Sequence, residues 1–220
     1  MKKKDHRELA EYWVRRMDHR IPLLKRMAFI FGNFEPDINY LTYLHGFTHY
    51  RNFLGHHYDH VFPVLLHLID RYENSLFSIT AYYRLGKCFH YTADIFTYPH
   101  NPCFSGSMKE HVQYEMQLHE CIHTVLGKEE NELHRRMFRG DLDADDIREG
   151  LTKMHEKYLK EAHSCELDLW YILNATQLLA EAYLYTEEER TERIHPDEPM
   201  LLPPEEWLFL TPAFGQLKNL

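Results

Sequence analysis

Apolar positions recur at helical spacing through long stretches of the chain, and this spacing predicts a succession of helices. From Asp5 to Met17, Leu9, Tyr12, Trp13 and Arg16 keep the spacing, with Asp5 set to cap the start. Pro22 opens a second helix through about Phe31, and Gly32-Asn33 is expected to stop it. A turn containing Pro36 and Asp37 follows, and Tyr40 to Phe53 carries mixed signals of a short helix and a loop. After Gly55, His57 to Tyr72 reads as helical, with Pro63 near enough to its start to be tolerated as a bend. Leu76 to Phe96 is apolar on most sides, which predicts a central, buried helix. Pro99 and Pro102 bound a turn that carries His100. Helices are expected over Ser107–Leu126 (ended by Gly127), Glu129–Phe138, Ala144–His163 and Cys165–Thr186. Beyond Glu187 the pattern becomes a Pro-broken tail with Trp207, Phe209 and Phe214, expected to lie extended on the domain or on a partner. The prediction is an all-α, single-domain irregular bundle of about eight helices, with a helical domain over 1–188 and a tail over 189–220.

Composition changes this picture little. With 220 residues, 44% hydrophobic and 27% charged, the chain is long enough for one domain with a sizeable core. Gly is scarce at 9, in keeping with helices. A formal charge of −9 argues against general affinity for a nucleic-acid backbone, which needs a basic face. Cys88, Cys103, Cys121 and Cys165 form no CxxC pair and read as reduced thiols. The basic start lacks an apolar run of the secretory kind, and no stretch of 18 uninterrupted apolar residues suggests a membrane span. A cytoplasmic location is the expectation. Nothing in the sequence sets the oligomeric state.

Candidate chemistry concentrates between Leu85 and Glu115. His90 and Asp94 are four residues apart, as are His111 and Glu115, and His100 lies between the pairs. Residues four apart share a helix face, so each pair can aim two donor atoms at one point. Imidazole with carboxylate suits zinc, and iron or manganese less specifically. The plainer reading is a core His beside a surface Asp, and exposed His/Glu pairs are common. It fits poorly here, because a buried Asp in an apolar helix is costly unless partnered. Asp37, after a Pro, is by itself an ordinary turn former. His56 has His45, His49, His57 and His60 as rivals, and the residues alone do not choose among them. His119-Glu120-Cys121-Ile122-His123 satisfies the zinc-protease pattern HExxH, but lacks its longer continuation. His119 falls one turn after Glu115 and fits a supporting role around the other cluster. The E-xx-H motif on each of two helices that di-iron bundles use is not found. The acidic run Asp141 to Asp146 suits a helix N-terminus better than a calcium loop.

The segments KKKDHRELA, FGNFEPDINYLTYLHG, LGHHYDH, LGKCFHYTADIFTYPHN and SMKEHVQYEMQLH resemble the bacterial zinc-dependent phospholipase C family, relatives of the secreted single-strand-specific zinc nucleases. The resemblance covers roughly residues 2–119. It implies that His90, Asp94, Asp37 and His56 hold one zinc, with His49 a rival to His56. It implies that His100, His111 and Glu115 hold a second. Asp94 would bridge to a third zinc, which also takes His6. Secreted members supply that third zinc with the amine and carbonyl of a processed N-terminal Trp, whereas this chain reads Met1-Lys2-Lys3-Lys4.

The resemblance implies a phosphodiester hydrolase with two or three zinc ions, metal-activated water attacking phosphorus in line, and Asp37 orienting that water or acting as base. Phospholipid is the leading substrate. A nuclease-type phosphodiesterase acting on nucleotides is the alternative, and it needs aromatic platforms such as Tyr43, Tyr91 or Tyr98. A non-catalytic, metal-stabilised scaffold or binding protein and an HExxH metalloprotease complete the readings.

Overall fold

The structure, a computed structural model, describes residues 1–16, 21–38, 57–72, 78–126 and 143–183. Among them every regular element is helical. The α-helices are α1 (Lys3–Arg16), α2 (Leu23–Phe34), α3 (Tyr58–Tyr72), α4 (Ile79–Ile95), α5 (Met108–Leu126), α6 (Ala144–Tyr158) and α7 (Cys165–Tyr183). Short 3₁₀ turns span Glu35–Asp37 and Tyr98–His100. The expected helix over Glu129–Phe138, the Tyr40–Phe53 stretch and the C-terminal tail lie outside the described residues.

Helix ends differ from expectation where side chains, not punctuation residues, decide them. Asp5 does not cap α1 from outside. It sits in the first turn and its carboxylate accepts the Lys2 backbone N–H at 3.0 Å, so α1 starts at Lys3. Ser78 caps α4 by accepting the Ala81 N–H at 3.0 Å. Ser107 and Glu110 cap α5 reciprocally. Asp143 and Asp146 form a capping box at α6, the role expected of that acidic run. Helix α6 stops at Tyr158, earlier than expected, where the chain tightens as Lys160 N–H turns to the Lys157 carbonyl at 3.0 Å and Glu161 N–H to the Tyr158 carbonyl at 3.2 Å; Ser164 then starts α7 afresh by accepting the Leu167 N–H at 3.2 Å. Pro63 lies inside α3, as anticipated.

The clearest correction concerns Gly32. It does not end α2, which runs on to Phe34. Gly32 faces Gly86 of α4, and the two helices touch backbone to backbone. A Cβ on Gly32 would collide with the Tyr83 carbonyl, and one on Gly86 with the Phe29 carbonyl. The contact carries the chemistry: His90 lies one turn beyond Gly86, and its Nδ1 donates to the Asn33 carbonyl of α2 at 2.8 Å. On the same side of α4, Lys87 pairs with Glu35 at 3.0 Å and fixes the 3₁₀ turn that carries Asp37.

Helix α4 is buried around most of its circumference, as its sequence predicts, and packs on α2, α3 and α7. Helix α1 packs on α2 and α5, and α7 on α5 and α6. Trp13, Phe29 and Phe89 meet edge to face beneath α1 and α2. Phe96, Tyr158 and Tyr171 form a second aromatic cluster beneath α6 and α7. No helix among the described residues is long and apolar enough to cross a membrane.

Gly86→Ala should force α2 away from α4 and destabilise the fold by about 1–3 kcal/mol. Chemical denaturation measures this, and a change within ±0.3 kcal/mol, roughly the noise of such experiments, would refute the close-contact account.

Candidate metal centre

Helix α4 brings His90 and Asp94 to one face near its C-terminal end. From α1, His6 enters the same point, its ring stacked on that of His90 at 3.8 Å between centroids. All three side chains are fully buried. The turn after α4 adds His100, and α5 adds His111 and Glu115. Two groups of three donors result, His6/His90/Asp94 and His100/His111/Glu115. Within each group the donor atoms lie within 4.8 Å of one another.

Asp94 joins the groups. Its Oδ1 lies 3.3 Å from His6 Nε2 and 3.2 Å from His100 Nδ1, while its Oδ2 lies 3.3 Å from His90 Nε2. In the second group, Glu115 Oε1 is 3.3 Å from His111 Nε2 and 3.5 Å from His100 Nε2. Asp37 stands at the mouth, 3.9 Å from both His6 Nε2 and His90 Nε2. Exposure rises outward, from 0% at His6, His90 and Asp94 to 12% at Asp37 and 26% at His111. Solvent therefore reaches Asp37, His111 and Glu115 but not His6, His90 and Asp94.

This donor set fits a cation. The Asn33 carbonyl can only accept, so the proton of neutral His90 is on Nδ1, and the Nε2 lone pair is turned toward the carboxylates. Two acceptors facing each other at 3.3 Å repel unless a proton or a metal stands between them. Neither ring nitrogen of His6 makes a hydrogen bond of acceptable geometry, although the ring is wholly buried. Burial pushes the His6 pKa down to about 4, with neighbouring His90 adding to the effect against Asp37 and Asp94. His6 is thus neutral at pH 7, the form that ligates metal. Burial raises the Glu115 carboxyl, but donors on His100, His111 and the N-terminal amine outweigh it and hold the group well below the usual carboxylate range.

One participant is not among the donors expected from the sequence. The Met1 amine is buried between the two groups, 3.0 Å from His100 Nε2, 3.0 Å from Glu115 Oε1 and 3.5 Å from Asp94 Oδ1. Burial lowers its pKa, and Asp94, Glu115 and Asp37 together raise it by more. The signal was the short distance along the chain from Met1 to His6, which makes the chain's first turn part of the centre.

Of the residues expected at the site, His6, Asp37, His90, Asp94, His100, His111 and Glu115 converge. His6 stands with His90 and Asp94. His56, and its rivals His45 and His49, lie outside the described residues. A family model of zinc-dependent phospholipase C matches residues 5–165, most of the chain and all of these donors.

The chain belongs to the zinc-dependent phospholipase C family. No curated protein and no solved structure matches it.

The HExxH segment has a packing role. His119 Nδ1 meets Asp5 Oδ1 at 2.5 Å and His123 Nδ1 meets Glu8 Oε1 at 3.1 Å, so both rings clamp α5 to α1. Glu120 is exposed, and among the described residues neither His joins a metal-binding group. Of the proposed aromatic platforms, Tyr91 is buried and Tyr98 has one face covered by His163 at 4.3 Å. Tyr43 lies outside the described residues.

The shared carboxylate gives a direct test by metal analysis. Asp94→Asn should lower zinc content in both groups, whereas His111→Ala should lower it in one. Equal losses in the two variants would refute the division.

Proposed function

We propose that the protein is a zinc-dependent phosphodiester hydrolase of the phospholipase C type. The observation that carries the reading is the Asp94 carboxylate, which faces two His-rich groups at once from the middle of the fold. His6, His90 and Asp94, with Asp37 alongside, would hold zinc in the inner group; His100, His111 and Glu115 would hold it in the outer one. Zinc bound there supplies positive charge to phosphate oxygens and acidifies water at neutral pH.

The chain's own groups then have separable tasks. Asn33 fixes the His90 tautomer, so that its Nε2 lone pair faces inward. Asp94 keeps the two groups in register. Asp37 is the partly exposed carboxylate at the mouth, held by a 3₁₀ turn rather than buried in a helix. It is suited to orient a water or to take its proton. Glu115 and His111, partly exposed in the outer group, would face the leaving group.

Family membership supports a phospholipid as the substrate. The covering of Tyr98 by His163 and the burial of Tyr91 leave a base-stacking nuclease with less support.

Zinc-loaded protein should hydrolyse phosphatidylcholine and bis-nitrophenyl phosphate, with single-stranded DNA a poor substrate, and a chelator should abolish turnover. Asp37→Asn should cut turnover about 100-fold or more while the outer group keeps its zinc. Full zinc occupancy with no turnover on any of the three substrates would overturn the hydrolase reading and favour a metal-stabilised scaffold.

A further inference from the structure

Helices α6 and α7 give no donor to either metal-binding group, yet they bury a carboxylate aimed at the elements that do. Asp168 lies in the first turn of α7 and has no exposed surface. Its Oδ2 accepts the Tyr98 backbone N–H at 2.8 Å and the Tyr114 hydroxyl at 2.9 Å. Its Oδ1 accepts the Tyr158 hydroxyl at 2.8 Å.

The identities of those donors are informative. Tyr98 opens the three-residue turn that ends at His100. Tyr114 immediately precedes Glu115 and is three residues past His111 on α5. One carboxylate oxygen therefore ties the His100 turn to the helix carrying the other two donors of the outer group. A turn this short has no helical ladder of its own to fix it, and its leading N–H needs an outside acceptor. Asp168 is that acceptor.

The far end of the turn is held from the same side. Asn101 Nδ2 donates to the carbonyls of Ile95 at 3.1 Å and Thr97 at 2.9 Å. Its Oδ1 accepts from His155 Nε2 of α6 at 2.8 Å. His155 is locked in turn by a parallel stack on Tyr58 at 3.9 Å. The His100 turn is thus gripped at both ends by helices that do not touch the metal-binding groups through donors of their own.

We propose that Asp168 is the positioning residue of the outer group, setting His100 against His111 and Glu115, with His155 and Asn101 holding the other end of the turn. This rests on the reading of His100, His111 and Glu115 as a zinc site. A buried carboxylate with only a packing role would affect both groups alike through global stability. A positioning residue affects one.

The experiment is zinc titration against a competing chelator on the full chain, with thermal unfolding followed in parallel. Asp168→Ala should weaken zinc in one group by about 10- to 100-fold and leave the other near the wild-type affinity. In a His111→Ala background the same change should remove no further zinc. Asp168→Asn should restore the outer group to within about threefold of wild type, because an amide oxygen can still accept from Tyr98 and Tyr114 while its NH₂ donates to Tyr158. Tyr114→Phe, a milder change that folds if Asp168→Ala does not, should also weaken only the outer group. Unchanged zinc binding in both Asp168→Ala and Tyr114→Phe, equal weakening of both groups, or failure of Asp168→Asn to restore binding would overturn the proposal while leaving the zinc site itself standing. A wild-type chain that binds no zinc in the outer group would instead overturn the metal reading, and this proposal with it.

Discussion

The structure depends on keeping a carboxylate at Asp94 in the interior. A buried carboxylate is tolerated only beside compensating charge or hydrogen bonds. Here three imidazoles surround it at 3.2–3.3 Å, and the Met1 amine stands at 3.5 Å. Each neighbour comes from a different place: α1, α4 itself, the turn after α4, and the chain's first residue. Holding them within reach of one carboxylate fixes how α1, α4 and that turn meet. The same neighbours leave Asp94 with donors that carry lone pairs or negative charge toward one another, an arrangement that invites a divalent cation.

The rest of the fold supplies that geometry in two ways. On one side, backbone contact between Gly32 and Gly86 brings the Asn33 carbonyl to His90 and lets Lys87 of α4 hold Glu35 near Asp37. On the other, α6 and α7 grip the His100 turn through Asp168 and through His155 with Asn101. Burial pushes the Asp168 carboxyl up to about 7 even though the Tyr98 N–H and the Tyr158 and Tyr114 hydroxyls pull it down. That is a costly group to keep in a core, and it stands where the turn needs an acceptor. Between these supports, His119 and His123 pin α5 against α1, so the HExxH pattern serves helix packing.

Much of this was legible in the chain. The all-helical class followed from apolar periodicity, and the central burial of α4 from its lack of a polar face. The pairs His90/Asp94 and His111/Glu115 were readable because i,i+4 spacing on a helix is a local geometric fact. Misreadings came where a residue's job is set by something distant. Gly32 reads in sequence as a helix stop, its usual role, because its partner Gly86 is 54 positions away. Helix α6 ends at Tyr158 in a tightened turn before Ser164 caps the next helix, which periodicity alone does not reveal. Asp5 reads in sequence as a cap from outside, whereas it folds back on Lys2 from within the first turn and takes His119 as well.

By itself the sequence determined the donors, their pairing along each helix and the family they mark, because these depend on residue type and on spacing within a few turns. Only the tertiary structure decided that His6 stands with His90, that Asp94 faces both groups, that the Met1 amine lies between them, and that Asp168 ties His100 to Glu115's helix. Most of those contacts cross roughly fifty to a hundred residues of chain, made by packing that no local pattern records. Leu85 to Glu115 names the chemistry; the helices around it set the distances at which that chemistry can operate.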